Sequence, residues 1–334
     1  MQVLRHYTGV PEALRHSVVA LGNFDGIHRG HQEIIAQAGR LAREFGAPHA
    51  VMTFEPHPRG FFNPDLPAFR LTPFRIKARL IEALGVDCLF VFRFDRALSR
   101  LSAGEFVGDI LAGGLGVQHV VVGENFGFAR RREGDVPALR RLGRSNGFGV
   151  SALAQVTGPG NEAFSSTGVR EYLKAGNPTR AALLLGRYHE IEGRIRSGDE
   201  RSDGAPCLDL HDVICPAEGA YAVRAGIDLG AETVWHSGVA LLDVRETPPG
   251  AGPLMEIHLF DEAPGIVGRH LRVALVDYLR PLPATPDPAA RRAELAEDRR
   301  RAQVILASEE WVTGWPSTSF VAAAPEPPDT GGSD

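Results

Sequence analysis

The chain predicts an α/β fold in two parts: a doubly wound parallel sheet, then an antiparallel β-barrel with a terminal helix. Three observations predict it. The 334 residues are enough for two ordinary domains with separate cores. Between residues 17 and 186, short apolar runs alternate with helically spaced segments, the pattern of a parallel sheet covered on both faces. After Arg187 the apolar residues recur at every second position, as in antiparallel strands with one face in a core. The expected boundaries are 1–186 for the first domain, 187–308 for the barrel and 309–334 for a tail.

The elements follow in order. Ser17–Gly22 (SVVALG) is a buried strand. Gly30–Glu44 carries Ile34, Ile35, Ala38, Leu41 and Ala42 at helical spacing, and Gly46 closes that helix. His49–Phe54 is the next strand. Pro56, Pro58, Pro64 and Pro67 make residues 55–71 a long irregular loop, a kind that is often functional. Thr72 and Pro73 start a helix that runs to Gly85, the hydroxyl as cap and Pro at the first helical position. Val86–Phe92 is a strand, Ser102–Glu105 is a capping box, and His119–Val122 is a strand. A helix follows Asp135, and a strand spans Gly149–Val156. The barrel strands are expected at Tyr188–Ile195, Ala220–Gly226, Val234–Val244, Met255–Phe260 and Leu271–Tyr278. Proline-rich Pro281–Pro288 leads to a charged helix, Ala289–Leu306. The tail Ala322–Asp334, rich in Pro, Gly, Ser and Asp, is expected to be disordered.

Composition excludes several classes. Apolar content of 43% and charged content of 23% describe a soluble globular protein. A net charge of -5 argues against a general nucleic-acid binder. No apolar run approaches the roughly 18 residues of a membrane span, and the first residues lack the order of a signal peptide. Cys88, Cys207 and Cys215 are too few and odd in number for a disulfide framework, which points to reduced thiols in the cytoplasm.

The segment with most chemistry is Gly22-Asn-Phe-Asp-Gly-Ile-His-Arg-Gly-His31. It joins the first buried strand to the first helix, where open α/β sheets bind ligands. Gly22, Gly26 and Gly30 allow close backbone approach. His28 and His31 open a helix, whose free N–H groups and positive dipole end join the imidazoles in a cradle for a polyphosphate. The pattern is not G-x-G-x-x-G, and no Gly-Lys-Ser/Thr follows, so neither the dinucleotide fingerprint nor the P-loop applies.

His28-x-Gly-His31 resembles the HxGH signature of the nucleotidylyltransferases. The whole ten-residue string is similar to that of the prokaryotic bifunctional FAD synthetases, the riboflavin kinase/FMN adenylyltransferases. Thr53-Phe-Glu-Pro-His-Pro-Arg59, Leu71-Thr-Pro73 with Lys77, Val122-Gly-Glu-Asn-Phe-Gly-Phe128, Ser165-Ser-Thr-Gly-Val-Arg170 and Leu184-Leu-Leu-Gly-Arg-Tyr188 resemble further segments of that family, in order. The likeness covers about residues 15–195. It implies a parallel sheet of the nucleotidylyltransferase type and transfer of AMP from ATP to FMN, giving FAD and pyrophosphate. Gly22, Asn23, Phe24, Asp25, Gly26, His28, Gly30, His31, Ser165, Ser166, Thr167 and Arg170 would then bind ATP, with His28, His31 and Arg170 catalytic. His57, Arg59, Asn125, Phe126 and Phe128 would face the flavin. Mg²⁺ would accompany ATP, with no ligand set evident. Ala129 replaces the family's usual Gly, with a small expected effect.

The second half departs further. Where the family's kinase barrel has GFPTAN, this chain has Gly204-Ala-Pro-Cys-Leu-Asp209, so Cys207 replaces Thr and Asp209 replaces Asn. The preceding loop, Ser197–Asp203, is short and acidic. A thiol is a poor Mg²⁺ ligand, and added carboxylates repel a triphosphate. Glu256 still matches the position of the kinase base, or is an ordinary solvent-facing strand residue. The expectation is a degenerate kinase site. A zinc set of Cys207, His211 and Cys215 has irregular spacing. The alternatives are a fully bifunctional enzyme, nucleotidyl transfer to another phosphorylated small molecule, and a flavin-binding regulator without catalysis.

Overall fold

The computed structural model describes residues 1–158, 161–198, 204–210, 212–228, 233–244, 253–261, 265–283 and 288–307; the expected tail lies outside them. The first half is a parallel sheet of β1 (Gln2–Leu4), β2 (Val18–Leu21), β3 (His49–Glu55), β4 (Cys88–Arg93), β5 (His119–Gly123) and β6 (Gly149–Leu153). Its order is β1-β4-β3-β2-β5-β6. Helices α1 (Arg29–Phe45), α2 (Pro58–Phe62), α3 (Phe74–Ala83), α4 (Ala103–Glu105) and α5 (Val136–Ser145) connect them, and a π-helical stretch, Phe106–Leu115, continues α4. One apolar layer, with Ile35, Ala38, Ile76 and Ile81, covers one face; another, with Phe106, Ile110 and Leu139, covers the other. Both faces are buried, which is why β2 reads Val-Val-Ala-Leu without alternation.

The second half is a closed barrel of β7 (His189–Arg196), β8 (Cys207–Asp209), β9 (Gly219–Asp228), β10 (Thr233–Asp243), β11 (Leu254–Leu259) and β12 (His270–Arg280), in the order β10-β11-β8-β7-β12-β9. Helices α6 (Ser166–Lys174) and α7 (Pro178–Leu185) precede it, and α8 (Pro288–Leu306) packs Ala302 and Leu306 against it.

The core does not divide at residue 186. Val169, Leu173, Leu184 and Leu185 of α6 and α7 share one buried cluster with the barrel residues Ile191, Val223 and Leu275. Arg79 of α3 also reaches Glu190 (2.7 Å) and Glu192 (3.5 Å) on β7. The two halves are therefore joined by apolar packing and by a partly buried ion network.

The sequence reading missed β1 and β8, whose three residues each are too short to carry a period. It also missed α2 inside the Pro-rich loop. Thr72 does not cap α3: Pro73 is the N-cap, with no side-chain cap bond. The Thr72 hydroxyl instead accepts from the Gly26 amide (2.9 Å) and donates to Asp25 Oδ1 (3.3 Å), so it fixes the loop after β2.

Candidate active site

The strand order reverses direction between β2 and β5, and the crevice at their carboxyl ends is the general ligand position of such sheets. A cavity of about 400 Å³ lies there. Gly22, Asn23, Phe24, Asp25, His28, Gly30 and His31 line it from the β2–α1 loop. Ser165, Ser166 and Arg170 line it from the start of α6, and His57, Arg59, Asn125 and Phe126 from the segments that follow β3 and β5. Segments far apart in sequence are thus brought around one space. Gly26, Thr167 and Phe128 are not among its lining. Gly26 and Phe128 are buried, and Thr167, in the first turn of α6, is exposed.

His28 is the N-cap of α1, and its Nδ1 accepts from the His31 amide at 3.3 Å. That bond leaves the ring proton on Nε2, available as a donor. The His28 and His31 rings stack with centroids 3.6 Å apart, and the edge of Phe24 supports His31 at 5.3 Å. His31 Nδ1 is buried with no protein partner among the described residues. Burial pushes His28 down to about 4, opposed by Asp25 and reinforced by Arg187 and Arg170. Burial, then the neighbouring His28, holds His31 well below its usual value. Both imidazoles are neutral at pH 7. The space at Gly30 is tight: a Cβ would lie 3.3 Å from the Phe164 carbonyl oxygen and 3.2 Å from the His28 ring, which would have to shift.

Asp25 is the hub behind this pair. Its Oδ1 accepts from the Leu71 amide (2.9 Å) and the Thr72 amide (3.1 Å), and its Oδ2 accepts from Arg170 Nη2 (2.5 Å). Arg170 also donates to the Phe69 carbonyl (2.8 Å), so much of its donor capacity is committed to protein. Ser165 caps α6 by accepting from the Gly168 amide (3.1 Å), and Ser166 donates to the Asp25 carbonyl (2.7 Å).

On the opposite wall, His57 caps α2 by accepting from the Arg59 amide (3.1 Å). Its ring meets Phe69 edge-on at 5.2 Å, and Arg59 lies over the same Phe69 ring at 5.0 Å. Burial pushes His57 to about 4, with Asp25 acting upward and Lys77 downward. Buried Lys77 pairs with Glu55 Oε1 (2.9 Å), whose Oε2 takes Arg70 (2.9 Å). Lys77 is thus committed beneath the loop. Phe126 and Phe128 stack at 5.7 Å and 13°. Phe128 packs against Phe126 and does not itself line the cavity.

Sequence reasoning missed Ile34, Glu124, Gln155 and Phe164 on the cavity wall. The rule that ligands lie at the carboxyl ends of the strands beside the switch point would have marked Glu124 and Gln155, which follow β5 and β6. Glu124 accepts from the Gln155 amide at 2.9 Å and ties those two loops together. Ala129 is a correction. Its φ of 64° and ψ of -176° lie in a region essentially reserved for glycine, so the effect of losing the family's Gly is larger than the sequence alone suggests.

In the barrel, Cys207 and Glu256 are register partners on β8 and β11. Cys207 is buried, with its Sγ 3.2 Å from the Ala205 carbonyl. Asp209 is held by both oxygens to Arg196 Nε, each at 3.1 Å. Glu256 is not a solvent-facing strand residue. Its Oε2 is paired with Arg291 of α8 and lies 3.4 Å from His258 Nε2. A second cavity, of about 580 Å³, lies alongside, lined by Pro206, Ile257, Phe260, Ile266 and Leu295 among others. Loop residues 199–203 and His211 lie outside the described residues. Among the described residues, no group of three or more His, Cys, Asp or Glu could hold a metal ion, and no helix is long and apolar enough to cross a membrane.

Comparison with known proteins agrees with this geometry. The family model described as FAD synthetase matches residues 10–168, and the one described as riboflavin kinase matches residues 185–306. The chain is 40% identical over 285 residues to the bifunctional riboflavin kinase/FMN adenylyltransferase of Pseudomonas fluorescens, covering 84% of this chain and 90% of that protein. It is 36% identical over 285 residues, with the same coverage, to the protein of that name from Escherichia coli K12. A solved structure titled as a macrolide-efflux protein from Streptococcus pneumoniae has a TM-score of 0.77 at 25% identity, covering 90% of this chain and 98% of that one. With an HxGH loop at the sheet's switch point and a closed barrel in one chain, this protein belongs to the bifunctional riboflavin kinase/FMN adenylyltransferase family.

Proposed function

We propose that the chain transfers AMP from ATP to FMN, giving FAD and pyrophosphate, and that its riboflavin kinase activity is weak or absent. The observation that carries the first part is the stacked His28–His31 pair, one imidazole with a buried unpartnered nitrogen, at the mouth of the β2–α1 loop.

The FMN phosphate oxygen attacks the α-phosphorus of ATP, and the bond to the β-phosphate oxygen breaks. The nucleophile is already an anion, so no base is needed, and catalysis consists of positioning and charge stabilisation. His28 Nε2–H and His31 donate to the triphosphate, together with the N–H groups of the first turn of α1. Ser165 keeps its hydroxyl proton free for a phosphate oxygen while its oxygen caps α6. Arg170 stabilises charge from the same side and is held in register by Asp25. Asn23 touches the nucleotide. His57 and Arg59 hold the FMN phosphate, and Asn125 and Phe126 face the flavin. Mg²⁺ would accompany ATP as counter-ion to its phosphates, and among the described residues no cluster of three or more His, Cys, Asp or Glu is available to hold it. Three cysteines, all outside disulfides, and the need for ATP support a cytoplasmic enzyme.

A bifunctional reading is favoured by the riboflavin kinase match over residues 185–306. Against it stand three side chains. Cys207 offers a thiol where the family has Thr, Asp209 is neutralised by Arg196, and Glu256 is occupied by Arg291. We therefore read residues 1–186 as the working enzyme and 187–308 as an impaired kinase barrel.

One assay separates the readings. The purified chain is incubated with ATP and either FMN or riboflavin, and the flavins are resolved by chromatography. FAD is expected from FMN, with little or no FMN formed from riboflavin. No FAD from FMN overturns the adenylyl transfer, and FMN formed as fast as FAD overturns the kinase loss.

A further inference from the structure

Arg187 stands where α7 ends and the barrel begins, and its side chain is buried. It is aimed away from the barrel. Its Nη2 donates to the Gly26 carbonyl (2.8 Å), and its Nη1 donates to the carbonyls of Ile27 and Leu185 (3.4 Å each). The first two belong to the loop that presents His28. Gln32, one residue beyond His31, donates to the same Ile27 carbonyl (2.8 Å) and to Leu185 (2.7 Å). The Ile27 carbonyl is thus gripped from two sides, once from the junction and once from α1.

The loop needs such a grip. Phe24, Gly26 and Ile27 have φ values of 50°, 89° and 43°, left-handed positions that strain a residue carrying a Cβ. Such a conformation persists only when its surroundings over-determine it. Those surroundings are the Asp25–Thr72 bonds on one side and the Arg187–Gln32 grip on the other.

Charge points the same way. Arg187 Nε is buried with no partner among the described residues, and its two end nitrogens bond only neutral carbonyls. The carboxylate whose field acts on it is Glu190, which already pairs with Arg79 (2.7 Å) and Arg272 (2.9 Å). The guanidinium stays charged, and its field is felt at His28, whose proton affinity it lowers. A polyphosphate at His28 therefore meets a buried positive charge behind the loop.

We infer that Arg187 is a positioning residue for adenylyl transfer, holding the Gly26 and Ile27 carbonyls so that His28 and His31 meet the triphosphate, and that the barrel is retained as part of this scaffold. This rests on the adenylyl-transfer reading above. It also accounts for a barrel that keeps its packing while its own catalytic groups have diverged, since Arg187 is locked between α7 and β7 by the shared core.

The test compares the full-length chain with Arg187→Met, Arg187→Lys, Gln32→Leu and Arg79→Met. KM for ATP, kcat and melting temperature are measured for each, together with ATP affinity by calorimetry. Arg187→Met is expected to raise KM for ATP at least tenfold and to lower kcat, at temperatures well below its melting point. The ATP dependence should suffer more than that for FMN. Arg187→Lys should recover part of the ATP affinity, and Gln32→Leu should show the same signature more weakly. Arg79→Met cuts the ion network without touching the loop, so it should lower the melting temperature and leave kcat and KM for ATP unchanged. A folded Arg187→Met with wild-type kcat and KM for ATP overturns the proposal. If that variant does not fold, an unchanged Gln32→Leu overturns it. If the wild-type chain makes no FAD, the functional reading fails by itself, and Arg187 is judged on ATP affinity, where equal binding by wild type and variant overturns it.

Discussion

The Asp25 carboxylate and the Arg170 guanidinium meet at 2.5 Å, joining the loop after β2 to α6 across most of the first half of the chain. Asp25 also accepts from the amides of Leu71 and Thr72, so one carboxylate organises three segments. Removing its charge leaves Arg170 uncompensated in a partly buried site. Asp25→Asn is therefore expected to lower stability by about 3 kcal/mol in urea unfolding, the scale for breaking a buried pair. Adenylyl transfer should fall by at least tenfold. A stability change under about 0.5 kcal/mol, the range of ordinary surface changes, would show that Asp25 is not the hub.

His28 and His31 should separate into structural and chemical effects. His28 caps α1, and losing a cap costs about 1 kcal/mol. His31 Nδ1 has no protein bond to lose. His31→Gln is thus expected to change stability by less than about 1 kcal/mol while lowering kcat by about 10²-fold, the scale for removing one transition-state donor. His28→Ala should lose both. Steady-state kinetics beside thermal melting checks this, and a His31→Gln variant with wild-type kcat sinks the assigned role.

The parallel sheet was legible because β2 and β3 are short, apolar and bounded by glycine or proline. The motif residues were legible because His28, Gly30 and His31 lie close in sequence. What was not legible required the fold. Asp25 reads as a nucleotide contact, and only the fold shows that Arg170 and Thr72 also engage its oxygens. Arg187 reads as a linker residue until its carbonyl partners, about 160 positions upstream, are known. Glu256 reads as a strand residue until Arg291 arrives from α8. Each of these is a long-range polar contact, which leaves no trace in local periodicity.

Ala129 sits at φ 64° and ψ -176°. The Cβ is the source of the strain, since glycine occupies that region freely. Ala129→Gly is expected to stabilise the chain by about 1 kcal/mol, the strain relieved less the entropy glycine adds to the unfolded state. Denaturant midpoints measure it, and a destabilised variant would show that the neighbouring arginines, not the backbone, set this turn.

On the proposed loss of riboflavin kinase activity, regaining it should need more than one change. Cys207→Thr supplies a hydroxyl opposite Glu256, and Asp209→Asn removes the carboxylate held by Arg196. The double variant is expected to form FMN from riboflavin above the wild-type level, with either single change giving less. A double variant no more active than wild type would place the loss elsewhere, in the closure of Glu256 by Arg291.

Acid should act on both stability and ATP binding through the buried histidines. Burial holds His28 at about 4 and His189 at about 3, against an ordinary value of 6.5. Below pH 6.5 the unfolded chain binds a proton at each position and the native chain does not. Stability is therefore full above that pH and declines as pH falls, by up to about 1.4 kcal/mol per pH unit for each group. The decline from His28 ends near pH 4, where the native ring is itself protonated. An anionic triphosphate acts oppositely on the native ring, because it favours the charged imidazole and raises its proton affinity. ATP binding at pH 6 should thus take up protons. Calorimetry in two buffers of different ionisation enthalpy reads that uptake, which should shrink in His28→Ala. Binding without proton exchange in wild type would mean that the phosphates do not lie against His28.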